Sequence, residues 1–249
     1  MEISNIGVYN DRMAKSIVDK LFFIPYLNDV ETLVDFGCAN GELFKYCPQN
    51  WKMIGIDDNP EMMKAAKENY PAGEYVRTFD DLPNIEYSKT ALNLSSVIHE
   101  VYSYLPVQEI VEFWQNVFTK GFEYICIRDM AIDPEANTHW NIDNVFKIKE
   151  NPNGYLFDDY RKNFTECRER ELIHFLLKYK YIENWEREKK ENYFPLTNAE
   201  LISLVPDEYE IIFCDKFILE YTRNQIKKDF DYDVKYNTHI KLILKRKEH

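Results

Sequence analysis

The chain has 249 residues, 45% of them hydrophobic and 30% charged, which is enough for one substantial core with an elaboration or for two small domains. Its net charge of -12 argues against long nonspecific contact with a nucleic-acid backbone, because that affinity comes from Lys and Arg displacing counterions, although a local basic patch can override the net value. No apolar run approaches the roughly 20 residues that span a bilayer, and the start Met1-Glu2-Ile3-Ser4-Asn5 lacks the basic and apolar stretches of a signal peptide, so a cytoplasmic protein is expected.

In chain order, apolar positions at 13, 14, 17, 18 and 21 predict a helix over residues 11–24. A strand follows at 32–36, a helix at 41–47, a strand at 52–56, a helix at 60–69 and a short strand at 75–79. Ala91-Leu92-Asn93-Leu94 reads as a fourth strand, 107–119 as a helix and 123–130 as a fifth strand ending in charge. This alternation belongs to an α/β sheet with helices on both faces. Past Asp129 it breaks at Pro134, Pro152 and Gly154, and a helical run follows from 168 to 191. Thr197 with Glu200 has capping-box spacing for a helix through Leu204. Residues 209–213 and 238–244 read as the last two strands, with a helical piece over 217–230 between them. The expected organisation is a ligand-binding core over 1–130, a helical cap over 131–195 and the rest of the core sheet over 196–249.

Five cysteines without a C-x-x-C pair fit neither a disulfide scaffold nor a zinc site. Cys126 and Cys214 lie in apolar strand-like segments and are expected to act as small buried hydrophobes. Of the 18 Tyr and 16 Phe, one expected use is a ligand pocket walled by rings.

The most informative stretch is Asp35-Phe36-Gly37-Cys38-Ala39-Asn40-Gly41, followed by Gly55-Ile56-Asp57-Asp58-Asn59-Pro60. A buried strand runs into a small-residue turn, where Gly37 and Gly41 give a close ligand room and permit positive φ. A second strand then ends in carboxylates, and Asp57, about 20 residues beyond Gly37, is placed to accept both hydrogens of a ribose diol. Read as G-x-G-x-x-G from Gly37, the turn puts Ala39 and Glu42 at the second and third glycines, and Glu42 would face a dinucleotide's phosphates.

These two motifs resemble the Rossmann-like, class I S-adenosylmethionine-dependent methyltransferases. Ala39 departs from that family, which often carries a third glycine there. The resemblance implies S-adenosylmethionine as cofactor, held by Asp35, Gly37, Ala39, Gly41, Asp57, Asp58, Asp80, Leu94 and Ser95. Asp35 meets the amino group on this reading or caps the turn on a structural one, and Asp58 either faces the adenine or is solvated. Tyr9, Arg12, Lys15 and Lys20 are alternatives for the cofactor's carboxylate. The Ser95-Ser96-Val97-Ile98-His99 stretch resembles the family's segment beside the reacting methyl group. His99 is the candidate general base, since imidazole titrates near neutrality; the structural alternative is a His that packs or orders the loop.

Arg128, Trp185 and Arg187 are candidates for binding the acceptor, Arg by its fork and Trp by its stacking face. Their alternatives are a salt-bridged strand end, with Asp129, and an ordinary amphipathic helix. His99-Glu100 and Asp129 do not converge as a metal set in the sequence, and no metal is expected. A small polar acceptor is the leading expectation. The alternatives are an RNA end or nucleotide, bound by Lys178, Lys180, Arg187, Lys189 and Lys190, or a module that binds cofactor without turnover. Asn93-Leu94-Ser95-Ser96 lacks the Pro-Pro-aromatic motif of amino methylation on nucleic-acid bases. The oligomeric state is left open.

Overall fold

The computed structural model describes residues 17–247; Tyr9, Arg12 and Lys15 lie outside the described residues. The chain divides into two compact units, the first Met1–Asp129, Val205–Asp215 and Lys241–His249, the second Met130–Leu204 and Lys216–Ile240.

A seven-stranded sheet organises the fold, with strands β1 (Thr32–Phe36), β2 (Lys52–Ile56), β3 (Glu74–Val76), β4 (Thr90–Ser95), β5 (Tyr124–Met130), β6 (Tyr209–Phe217) and β7 (His239–Arg246) in the order β3-β2-β1-β4-β5-β7-β6. β1 to β5 are parallel, and β1 sits between β2 and β4 with Asp35 level with Gly55 and Asn93. Only β7 reverses. Arg246 N donates to the Glu123 carbonyl and Ala131 N to that of Thr238, while Lys247 N donates to Glu208 and Thr238 N to Phe217, so partners fall along β7 as they rise along both its neighbours. β1 and β4 are buried on both faces, which explains their almost unbroken apolar runs.

Helices α1 (Pro60–Asn69), α2 (Ile98–Tyr104) and α3 (Val107–Thr119) belong to this first unit. α1 starts where Asn59 Oδ1 accepts from Glu61 N and Met62 N and Pro60 needs no donor. α3 buries Phe113, Trp114 and Val117. Phe113 closes on Phe36 and Phe79, whose rings stack with centroids 4.9 Å apart. On the opposite face Leu33, Ala91 and Cys126 join Ile17, Phe23 and Phe44. The segment expected as a helix at 41–47 winds as a 3-10 turn over Glu42–Tyr46.

The second unit contains α4 (Ile142–Glu150), α5 (Phe157–Tyr160), α6 (Glu169–Lys178), α7 (Trp185–Glu188), α8 (Asn198–Ser203) and α9 (Glu220–Phe230). Thr197 and Glu200 form the expected capping box at α8. The run expected over 168–191 is broken at 179–184. The chain folds back there so that the carbonyls of Glu188 and Glu191 both reach Lys178 Nζ, a buried amine whose pKa burial pulls down to about 7 and which also lies 4.2 Å from the Tyr193 ring centroid. Much of the aromatic excess fills this unit's core: Phe157, Tyr160, Phe175, Tyr179, Trp185 and Phe230 cluster together. His174 is held at both nitrogens, by Tyr160 Oη at 2.8 Å and by the donating Tyr193 N at 2.9 Å.

None of the five cysteines is in a disulfide. Cys126 is buried as expected, but Cys214 is exposed, because β6 lies at the sheet edge and is largely open to solvent. No helix among the described residues is long and apolar enough to cross a membrane.

Candidate active site

The first turn takes its shape from three residues in the left-handed region: Gly37 (φ 76°), Ala39 (φ 46°) and Gly41 (φ 69°). The requirement for glycine comes partly from the protein itself. A Cβ at position 37 would sit 2.7 Å from Val97 Cγ2, and one at 41 would meet Tyr75 Oη at 3.1 Å and Ala66 Cβ at 3.2 Å. Gly37→Ala therefore combines a steric clash with a disfavoured φ, and we expect it to lower stability by about 1–3 kcal/mol. Urea unfolding checks this; an unchanged midpoint would show that Val97 gives way freely. Ala39 accepts a conformation that costs a non-glycine residue energy, and its amide N donates to Asp57 Oδ2 at 2.9 Å.

Asp57 ties the two motifs together. Its Oδ1 accepts from Asn59 N at 2.9 Å, so each oxygen holds one backbone donor and retains a second lone pair. Burial raises its pKa, against the lowering effect of those two amides. Asp58 beside it is exposed.

Asp35 ends β1 as a buried carboxylate, and Asn93 Nδ2 donates to its Oδ1 at 2.7 Å. Burial pushes its pKa up to about 6, against the opposing effects of the Asn93 bond and of Lys20. Two buried acceptors nearby on the same face of β4, Asn93 Oδ1 and Ser95 Oγ, have no partner among the described residues. Such groups are costly when unsatisfied, which marks this strand end as built for a ligand. In the sequence Asn93 reads as a strand residue alone; the lone amide within Ala91-Leu92-Asn93-Leu94 is the available signal. Leu94 is fully buried and alternates to the opposite face.

Lys20 is the described member of the four amino-terminal candidates. It is 4% exposed, and burial drives its pKa down to about 8, helped by Arg128 and opposed by Asp35, Asp129 and Glu100. Its neighbour Asp19 accepts from Arg128 Nε at 2.6 Å and from Lys241 Nζ at 2.5 Å. Burial works against that carboxylate's charge, but the two cations outweigh it and hold the pKa low. Arg128 also donates through Nη1 to Ser96 Oγ at 3.0 Å, and Ser96 itself has φ 60°. Arg128, a sequence candidate for the acceptor, is thus committed in this structure to pinning the segment 17–20 against the strand ends.

His99 lies in the first turn of α2, immediately after β4, and is 4% exposed. Its Nδ1 is 2.6 Å from Asp129 Oδ1, while Asp129 Oδ2 accepts from Val97 N at 2.8 Å and Ile98 N at 2.6 Å. Asp129, which the sequence places at a strand end suited to substrate selection, is a junction of strand, helix and imidazole.

The remaining candidates are placed differently. The Asp80 side chain is 91% exposed with Lys120 Nζ 4.0 Å away, and it is Asp81 that completes the capping box with Thr78. In the second unit Trp185 is buried in the aromatic cluster and donates from Nε1 to Asp159 Oδ2 at 2.9 Å, and Arg187 pairs with Glu191 at 3.0 Å. Lys178, Lys180, Arg187, Lys189 and Lys190 do not form one exposed basic strip. Lys178 is buried, Lys180 pairs with Asp229, and Lys189 pairs with Asp159 and Glu186.

Residues 34–120 match the family model described as a methyltransferase domain. Over those residues the chain is similar to a methyltransferase domain of the Rossmann-like class. S-adenosylmethionine is the methyl donor of this class. An S-adenosylmethionine-dependent methyltransferase from Archaeoglobus fulgidus superimposes with a TM-score of 0.51 at 16% identity, over 94% of each chain. One from Methanosarcina mazei does so with a TM-score of 0.51 at 16% identity, over 90% of this chain and 96% of its own. The plantazolicin methyltransferase BamL, solved with a triazolic desmethylPZN analog and SAH, gives 0.51 at 11% identity over 96% and 88%. At these identities the structures establish the Rossmann-like methyltransferase fold. No curated protein matches the chain in sequence.

The residues present fit this cofactor. A sulfonium and an ammonium suit a strand end that presents the buried carboxylate of Asp35 and the half-buried one of Asp57, and Asn93 Oδ1 and Ser95 Oγ offer further acceptors. Asp35 also sets a pH dependence of stability. Its folded pKa of about 6 exceeds the ordinary 3.8, so the folded state holds the proton more tightly than the unfolded chain. Its contribution is greatest below about pH 4 and is lost as pH rises to about 6, by about 2–3 kcal/mol in the ligand-free protein. Asp35→Asn should remove that slope from urea stability curves taken across this interval, and parallel curves would rule it out.

Proposed function

We propose that the protein transfers a methyl group from S-adenosylmethionine to a small polar acceptor, with His99 as general base. The reading is carried by one arrangement: the positive-φ turn bonded through Ala39 N to Asp57, beside a β4 end with unsatisfied acceptors. Gly37, Ala39 and Gly41 would leave room for the methionine part, Asp57 would accept from the ribose, and Asp35 and Lys20 would face the ammonium and the carboxylate. When bound, the cofactor supplies an electrophilic methyl on a positively charged sulfur. The chain's own residues would hold the acceptor against that methyl and exclude water. The cofactor would supply the methyl and its sulfur would keep the bonding pair, while His99 would take the acceptor's proton and pass it to water.

Residues 131–195 are the proposed acceptor-selecting segment, with Arg187 as its leading polar candidate. The fold does not choose the acceptor, since similar structures include the plantazolicin methyltransferase and the N-methyltransferase NodS from Bradyrhizobium japonicum. The deciding experiment incubates the protein with methyl-labelled cofactor and a cell extract and identifies the labelled product by mass. Label in a small molecule supports the reading. Label in RNA with a steep loss at higher salt would replace it with the nucleic-acid alternative, and no label at all would leave a binding module.

Binding to the folded state alone stabilises by mass action, so S-adenosylmethionine and its demethylated product should both raise the melting temperature, by an amount that grows with concentration above Kd. NADH should leave it unchanged. Stabilisation by NADH and not by the sulfonium compound would overturn the cofactor assignment.

A further inference from the structure

We infer that Asp129 is a positioning residue that sets the tautomer of His99, fixing the proton on Nδ1 so that Nε2 is the nitrogen that accepts a proton. The inference rests on His99 being the base of the proposed reaction. Its own support is the bonding of Asp129. This carboxylate is 1% exposed, at the end of β5, and is met by polar groups of three successive residues. Two are the amides of Val97 and Ile98, which bond Oδ2 and favour the ionised form. An ionised carboxylate accepts only, so the imidazole nitrogen 2.6 Å from Oδ1 carries a hydrogen. A neutral imidazole with its proton on Nδ1 has its lone pair on Nε2.

The same contact steadies the charge that forms during turnover. When Nε2 takes the acceptor's proton, the ring becomes an imidazolium whose Nδ1–H already faces a carboxylate. Because the two amides belong to the start of α2, the carboxylate also holds the helix that carries His99 against β5. One side chain thereby fixes both the position of the ring and its protonation pattern. The sequence offers no sign of this, since His99 and Asp129 are 30 residues apart and lie on different elements.

The first test needs no acceptor. In wild-type protein with 15N-labelled histidine, long-range proton–nitrogen spectra assigned with His99→Gln should show His99 carrying its proton on Nδ1. A proton on Nε2 instead would overturn the inference. In Asp129→Asn the side-chain oxygen can keep the amides of Val97 and Ile98 while the NH2 turns to Nδ1, which forces the proton to Nε2. That variant should lower kcat on the labelled acceptor from the transfer assay by about 100-fold or more, within the usual reach of acid–base catalysis, with S-adenosylmethionine affinity changed less than about threefold. His99→Gln should slow transfer to a similar degree, and the double variant no further. If His99→Gln transfers at the wild-type rate, the base reading falls and the inference with it. If His99→Gln is slow but folded Asp129→Asn keeps the Nδ1 proton and the full rate, the base reading stands and the inference alone is overturned.

Discussion

Asp57→Ala should bind S-adenosylmethionine at least about 100-fold more weakly than the wild type, while Asp58→Ala changes affinity less than about threefold. The difference follows from what each carboxylate touches. Asp57 holds Ala39 N and Asn59 N at 2.9 Å each and keeps a lone pair on both oxygens for a ribose diol. Two hydrogen bonds to a charged acceptor, at about 1.5–3 kcal/mol each, amount to about 3–6 kcal/mol, or roughly two to four decades in Kd. The substitution also strips Ala39 N of its partner in a turn that already sits at an unfavourable φ of 46°, so the cradle loosens along with the lost bonds. Asp57→Asn separates the two contributions: its amide oxygen can keep Ala39 N, and its affinity should fall between wild type and Asp57→Ala. Isothermal calorimetry on folded protein decides the matter. Equal losses from Asp57→Ala and Asp58→Ala would mean that the second strand presents a different residue to the ribose.

The parallel core was legible because its signals are local. β1, β2, α1 and α3 fall on the predicted spans: buried parallel strands read as short apolar runs, α1 has the Asn-Pro start, and α3 shows an amphipathic period. The glycine turn and Asp57 were readable for the same reason, since their spacing is the consequence of one strand, one turn and the next strand. What was illegible depends on partners distant in sequence. The Asn93–Asp35 bond joins residues 58 apart, and Asp19 reaches Lys241 across 222 positions. Cys214 looked apolar in sequence and is exposed because only topology tells an edge strand from a central one. The helical run at 168–191 looked continuous because periodicity cannot register a fold-back whose contacts, the Glu188 and Glu191 carbonyls on Lys178, lie 10 and 13 residues apart.

Trp185→Ala should cost about 3–5 kcal/mol of stability, and its effect on methyl transfer should follow that loss. The side chain is 8% exposed, stands among Phe175, Tyr179 and Phe230 in one cluster, and spends its only polar hydrogen on Asp159. Truncation leaves a cavity the size of an indole in a dry aromatic core and removes one of the bonds to that carboxylate, which retains Lys162 and Lys189. Trp185→Phe should recover most of the stability, because it refills much of the volume and forgoes only the bond to Asp159. Cofactor affinity, measured below the temperature at which either variant unfolds, should stay within about threefold of wild type, since Asp35, Asp57 and the glycine turn all belong to the first unit. A direct acceptor contact predicts the opposite pattern: normal melting with slow transfer in Trp185→Ala, and no rescue of rate by Trp185→Phe. Arg187→Ala is the companion measurement, because removing the guanidinium leaves Glu191, 1% exposed, without that counter-ion. If Arg187→Ala melts as wild type yet transfers slowly, acceptor selection lies with the arginine; if it melts early and transfers in proportion to the folded fraction, both residues act by holding the second unit together.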